Sequence, residues 1–167
     1  MDFLCRGGWR LHNIEAHLDS IVAKAPNIIF IQCGANDISV SPPLRYGEAV
    51  GDSLLEIAQE IKRRTGAEIA VGPCLERRVG RYIRSQDQAD AYNHQATRAN
   101  RFLKVVAREV DVVYWRHRGL SNWRESGLED VIGPDGVHLS HRGQYKFYKS
   151  LKGAIVHLRK RQRRSLL

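Results

Sequence analysis

Asp135 and His138 stand three positions apart in the run Asp135-Gly136-Val137-His138. At that spacing a carboxylate can accept a hydrogen bond from one imidazole nitrogen. Such a bond fixes the tautomer and leaves the other nitrogen free to act as a general base, which is the orienting logic of a catalytic triad. The same residues also suit a plain turn, with the aspartate on local amides and the histidine merely exposed, and taken alone the run supports both readings. A second run, Gly34-Ala35-Asn36-Asp37, follows a short apolar stretch. Its glycine permits a tight turn, and the Asn36 amide could donate to the charge that develops on a carbonyl oxygen during acyl transfer. By itself, Asn-Asp after a strand is first of all a turn.

The elements that must position these runs follow from periodicity. Leu11, Ile14, Leu18, Ile21 and Val22 predict one helix over Trp9 to Lys24, ended by Pro26. Asn27 to Gln32 is a continuous, β-branched apolar run, expected to be a strand buried on both faces. Val50, Leu54, Ile57 and Ile61 predict a second helix that stops at Thr65-Gly66, and Glu68 to Val71 a second strand closed by Gly72-Pro73. A third helix carries Tyr92, Ala96, Ala99, Leu103 and Val106, and a third strand covers Asp111 to Trp115. The last helix starts after Ser140, a good N-cap, with Tyr148, Leu151, Ile155 and Leu158 on one face. Helix and strand alternating in this way predict an α/β fold around a mostly parallel sheet. In such sheets functional residues sit on loops leaving the carboxyl ends of the strands, where both runs fall.

Length and composition narrow the class. A chain of 167 residues suits one domain. Its apolar content of 43% and charged content of 27% are those of a soluble globular protein. No apolar stretch reaches the roughly 20 residues a membrane-spanning helix needs, so membrane insertion is excluded as an expectation. The first residues lack a secretion pattern. The expected address is intracellular, cytoplasmic by default and nuclear if the basic tail serves import. Cys5, Cys33 and Cys74 are odd in number and widely spaced, which favours reduced thiols over a disulfide framework or a zinc site. No metal or cofactor is expected. The net charge is +9, but Arg159, Lys160, Arg161, Arg163 and Arg164 supply five of those charges. That tail could meet nucleic acid, yet it equally suits a helix C-terminus, where cations complement the macrodipole; nucleic-acid binding through it is the less favoured reading.

Gly-x-Asn-Asp closing an internal strand, followed a hundred residues later by Asp-x-x-His ahead of the last helix, resembles the SGNH (GDSL) hydrolase family. It is most similar to the SGNH-like domains predicted in animal genomes. The resemblance extends to Gly7-Gly8, to Ile29–Ile38, to the Tyr-Trp-x-His-Arg-Gly run at Tyr114–Gly119, and to Leu139, Gly143-Gln144-Tyr145 and Ser150-Leu151. It implies a flavodoxin-like three-layer α/β/α sandwich and metal-free hydrolysis of small-molecule or carbohydrate esters. It also implies residue roles: His138 as base, Asp135 as its orienting acid, and Asn36 with the Gly8 backbone amide as oxyanion donors. The family's Gly-Asp-Ser block, at the end of its first central strand, has no counterpart ahead of Gly8. The resemblance therefore implies a domain over residues 1–158, short at its N-terminus and followed by the basic tail 159–167. Its sheet would lack the usual first central strand and its site the serine, leaving the hydrolase incomplete or catalytically impaired. The alternative from another class is a non-enzymatic binding module for a carbohydrate, an acidic partner or nucleic acid.

Two decoys and one hypothesis complete the picture. Gly51-Asp52-Ser53-Leu54 reads like the missing block, but it lies within the register of the second helix and follows the Asn36 run in the chain. A nucleophile needs a strand-to-helix turn that exposes its hydroxyl beside the base. Cys33, ending an apolar strand, is expected to be a buried small hydrophobe. His12, His17, His94 and His157 read as solvated, whereas His117 opens the long loop bordering the site and is a candidate substrate contact. Arg77, Arg78, Arg81, Arg84, Arg116, Arg118 and Arg124 crowd the same loops, which suggests an anionic substrate met first by Arg77 and Arg78.

Overall fold

The computed structural model describes residues 4, 6–39, 46–120 and 131–165. Its centre is a four-residue strand, β2 (Glu68–Val71), in which every residue is buried. Full burial requires cover on both faces, and the period of two in a strand shows how it is achieved. Ile69 and Val71 turn into the main apolar cluster, whereas Glu68 on the other face meets Arg161 of the C-terminal helix. On either side of β2 lie β1 (Ile28–Ile31) and β3 (Val113–Tyr114). The order is β1-β2-β3 and both pairings are parallel, with Ile28 opposite Glu68 and Ala70 opposite Val113. The fold is therefore α/β, with a small, all-parallel sheet flanked by helices.

One face carries α1 (Leu11–Glu15), α2 (Leu18–Ala23), α3 (Gly47–Thr65) and α4 (Gln86–Glu109). The other face carries α5 (His141–Ser165), which packs on β1 and β2. Val50, Leu54, Ile57 and Ile61 are buried along α3 as their spacing predicts. The helix ends on Gly66, whose φ of 69° is the left-handed conformation a C-cap needs and only glycine adopts freely. α3 and α4 touch closely: a Cβ added at Gly47 would lie 1.9 Å from the Gln95 carbonyl oxygen. Ser53 sits in mid-helix on α3, beside Gly51, whose missing side chain makes room for Phe102 and Ala99 of α4.

Four expectations are corrected. The predicted first helix is broken at Ala16-His17 into α1 and α2, and His17 is half-buried with its ring 4.9 Å from that of Trp9. The break lets Leu11 and Ile14 turn fully into the core while α2 stays shallow, with no buried residue of its own. β1 is an edge strand, and only Ile31 of its four residues is buried, because burial on both faces falls to β2. Tyr148 is 58% exposed, so α5 seats Ala154 and Leu158 inward instead. The basic run over 159–165 forms the last part of α5. Arg124 and Cys5 lie outside the described residues. Among the described residues no helix is long and apolar enough to cross a membrane.

Candidate active site

Both runs lie on loops that follow the sheet strands or precede α5. The Asn36 corner forms directly after β1. Asp37, buried, accepts from the Leu11 amide at 3.0 Å, so its carboxylate binds the start of α1. Asn36 Nδ2 donates to the Trp9 carbonyl at 3.1 Å. These bonds draw the Gly8-Trp9 segment onto the Asn-Asp turn, bringing the two predicted oxyanion donors to one corner. Gly8 has a φ of 78° and is exposed. Asn36 Oδ1 accepts from Arg77 at 2.8 Å, which fixes which end of the amide carries the hydrogens. One of those two hydrogens is used by Trp9.

The Asp135 turn forms just ahead of α5. Asp135 Oδ1 accepts from the Val137 and His138 amides, both at 2.9 Å, and Oδ2 pairs with His138 Nδ1 at 2.7 Å. The Val137 amide first, then the imidazole, push the Asp135 carboxyl down to about 2. It is thus an acceptor through the neutral range, and His138 Nδ1 is the donor. In the neutral ring the proton-free nitrogen is then Nε2, on a side chain 68% exposed. The ring of Tyr82 stands edge-on to the imidazole, 6.1 Å between centroids. Among the described residues no serine, threonine or cysteine side chain is hydrogen-bonded to His138.

The loop after β2 joins the two corners through adjacent residues. The guanidinium of Arg77 holds Asn36 Oδ1 and the Ala35 carbonyl and lies 4.2 Å over the Tyr92 ring. Arg78 donates from its backbone to Gly136 and from its guanidinium to the Gly133 carbonyl. Gly80 and Gly136 allow the loops to meet backbone to backbone. A Cβ on Gly80 would lie 2.4 Å from the Asp135 carbonyl carbon, and one on Gly136 would lie 2.1 Å from the Arg78 oxygen. Arg77 and Arg78, expected to meet substrate, are therefore committed to protein oxygens and brace the loops.

Sequence reasoning missed what pins this loop. Asn93 and Asn100, seven residues apart on one face of α4, each bond both ways to a loop backbone. Asn93 takes Arg77 N–H and gives to Arg77 C=O, both at 2.8 Å. Asn100 does the same to Cys74 at 2.8 and 2.9 Å. The available signal was two asparagines, poor helix formers, on the buried stripe of a long helix.

His117, expected at the border of the site, is instead fully enclosed between Phe30 and Phe147. Its Nε2 faces Gln32 Oε1 at 2.9 Å and its Nδ1 faces Ser150 Oγ at 2.8 Å. The Pro73 end of the chain fixes the direction of the Nε2 bond. Trp115 Nε1–H can only donate to Ser150 Oγ, and the Pro73 carbonyl can only accept from Gln32 Nε2. Nε2–H therefore donates to Gln32 Oε1, and in the neutral ring Ser150 donates to Nδ1. Burial pushes its pKa down to about 4. Cys33, half-buried, is pushed up to about 11 by burial, and Cys74 to about 12, so both are protonated thiols at neutral pH.

With this geometry in place, the profile of the GDSL-like lipase/acylhydrolase family matches residues 2–146. The chain belongs to that family. Solved structures share the fold at low identity. A GDSL-like lipase from Bacteroides thetaiotaomicron superposes with a TM-score of 0.71 at 14% identity, over 90% of this chain and 72% of that one. An acetyl xylan esterase gives 0.64 at 15% identity, over 90% and 78%. A catalytic mutant, at a serine, of an acetylxylan esterase from Geobacillus stearothermophilus gives 0.61 at 16% identity, over 89% and 68%. Comparison with curated protein sequences gives no significant match.

Proposed function

We propose that this GDSL-family domain is built for hydrolysis of small-molecule or carbohydrate esters, with His138 as general base and Asp135 as its orienting acid, and that it is incomplete or catalytically impaired because the nucleophile block is missing from these 167 residues. The observation that carries this reading is the 2.7 Å Asp135–His138 bond with an exposed imidazole to which no serine, threonine or cysteine side chain is hydrogen-bonded among the described residues. In the complete reaction a serine hydroxyl passes its proton to Nε2 as it attacks the ester carbonyl, the imidazolium gives that proton to the leaving alcohol, and a water deprotonated by the same Nε2 then attacks the acyl-serine, releasing the acid as the serine takes the proton back. Asn36 supports the oxyanion role, since one amide hydrogen remains after the bond to Trp9. Gly8 stands at the same corner. The acetyl xylan esterases among the similar structures support an acetylated carbohydrate as the ester to test first.

The experiment combines a fluorophosphonate probe with hydrolysis of p-nitrophenyl acetate and acetylated xylo-oligosaccharides. Expected is no serine labelling, with slow p-nitrophenyl acetate hydrolysis that disappears in His138→Ala. Strong labelling lost in Ser53→Ala would overturn the impairment and reinstate that helix serine. A Gly-Asp-Ser segment encoded ahead of Met1 would also overturn the impairment while keeping the hydrolase. Slow hydrolysis unchanged in His138→Ala would overturn the assignment of the base.

A further inference from the structure

Away from the Asp135 turn, a groove enclosing about 1210 Å³ runs along the open edge of β3. Val113 and Tyr114 form its floor. One wall is the outer face of α4, with Arg101, Lys104 and Arg108; the other is the last part of α5, with His157 and Arg161; Arg116 stands just beyond the strand. Positions 101, 104 and 108 follow i, i+3, i+7, so they form one stripe roughly 10 Å long at 1.5 Å per residue.

Much of the charge around the groove is already spent. Arg98 pairs with Glu48, and Asp111 with both Lys62 and Arg161. Glu76 and Asp90 lie among the lining residues and lower the balance there. Arg101, Lys104, Arg108 and Arg116 have no ion-pair partner among the described residues. Four free cations converge on one groove, three of them arginines, whose planar forks match phosphate oxygens.

We propose that this groove binds the phosphate backbone of nucleic acid. A polyanion with one charge per 3.4 Å of strand sets about three phosphates against a stripe of roughly 10 Å. An acidic peptide is the weaker fit. It would have to draw on strand addition, and an edge of only two residues, Val113–Tyr114, offers almost no ladder to extend. The net charge of +9 adds long-range attraction for a nucleic acid. The site differs from the tail contact considered from sequence: it is centred on α4, and Arg163 and Arg164 are not among its lining residues.

The test is fluorescence anisotropy of the full chain with labelled 20-nucleotide single-stranded RNA, single-stranded DNA and duplex DNA, each titrated over a range of salt, with a poly-glutamate peptide of equal charge as comparator. Four phosphate contacts predict a slope of log affinity against log salt of about −3 for single strands. The triple variant Arg101→Gln/Lys104→Gln/Arg108→Gln should flatten that slope by about 2 units and weaken binding at least tenfold. Arg116→Gln, on a different element, should flatten it by about 0.7. Arg163→Gln/Arg164→Gln should leave most of the affinity. Three of the four variant side chains are exposed on α4 and the other follows β3, so thermal melts should match the parent. The proposal is overturned if no nucleic acid binds at 50 mM salt, if the α5 double variant abolishes binding while the α4 triple variant does not, or if poly-glutamate binds as tightly as the nucleic acids. RNA binding tighter than DNA, or the reverse, would each support it and identify the ligand.

Discussion

The enclosed histidine makes a quantitative claim about acid. His117 is held neutral by burial, with its Nε2–H aimed at Gln32 Oε1, whose orientation the Pro73 carbonyl sets. The folded-state pKa of about 4 lies below the ordinary 6.5. The sign follows from proton counts. Between pH 6.5 and 4 the unfolded chain binds the proton and the folded one does not, so stability falls as pH falls, and the loss is complete below about 4. At about 1.4 kcal/mol per pKa unit, roughly 3 kcal/mol is at stake, of which about 2 kcal/mol is gone by pH 5. The assay is urea denaturation of the parent and of His117→Gln at pH 7, 6, 5 and 4. Glutamine keeps an amide in the site but cannot titrate, and effects of all other groups cancel in the difference. The gap between parent and variant at pH 7 should shrink by about 2 kcal/mol at pH 5. A gap constant with pH, or an imidazole ¹⁵N titration placing His117 near 6.5, would refute the directed network.

Further perturbations read other parts of the framework. Asp135→Asn should offer an amide hydrogen to His138 Nδ1 and move the imidazole proton to Nε2, which ¹⁵N chemical shifts at alkaline pH would register together with loss of any His138-dependent ester hydrolysis. Asn93→Ala removes both bonds to the Arg77 backbone and should cost about 2 to 4 kcal/mol in chemical denaturation, with Asn100→Ala similar. Gly80→Ala would drive a methyl group into the Asp135 backbone; expected are a loss of about 1 to 3 kcal/mol and faster amide exchange at Val137 and His138.

What was legible in the sequence was local. The Asp135–His138 bond spans three residues, and it forms as its spacing suggests. The α3 stripe and its Gly66 cap, the β2 run and the α4 stripe all lie within single elements, and each has its place in the structure. What was not legible depends on partners far along the chain. His117 owes its burial to Gln32 and Ser150, 85 and 33 residues away, so its position before a long loop suggested a surface role. The clamps of Asn93 and Asn100 reach back 16 and 26 residues. β1 and β2 have the same apolar character, and only the order of the sheet decides which becomes the edge. Along α5 the apolar residues surround the helix, so periodicity alone did not separate Tyr148 from Leu158.

The same distinction bears on the chemistry. The acid-base turn is self-contained: Asp135 satisfies both oxygens within three residues of itself and leans on the loop after β2 through Arg78, Gly80 and Tyr82. That loop is pinned in turn by Gln32, Asn100, Tyr92 and Asn93. None of these contacts involves the group that His138 would deprotonate. The orientation of His138 therefore holds whether or not a serine stands opposite it, and the geometry measures the integrity of the scaffold rather than turnover. A strand supplying a serine beside Nε2 would meet an imidazole already oriented by a carboxylate held near 2 and an asparagine whose oxygen Arg77 already holds. On the proposed function, added chemistry would then suffice with no rearrangement of the loops, so amide exchange across Pro73–Ile83 should be unchanged when such a serine is supplied.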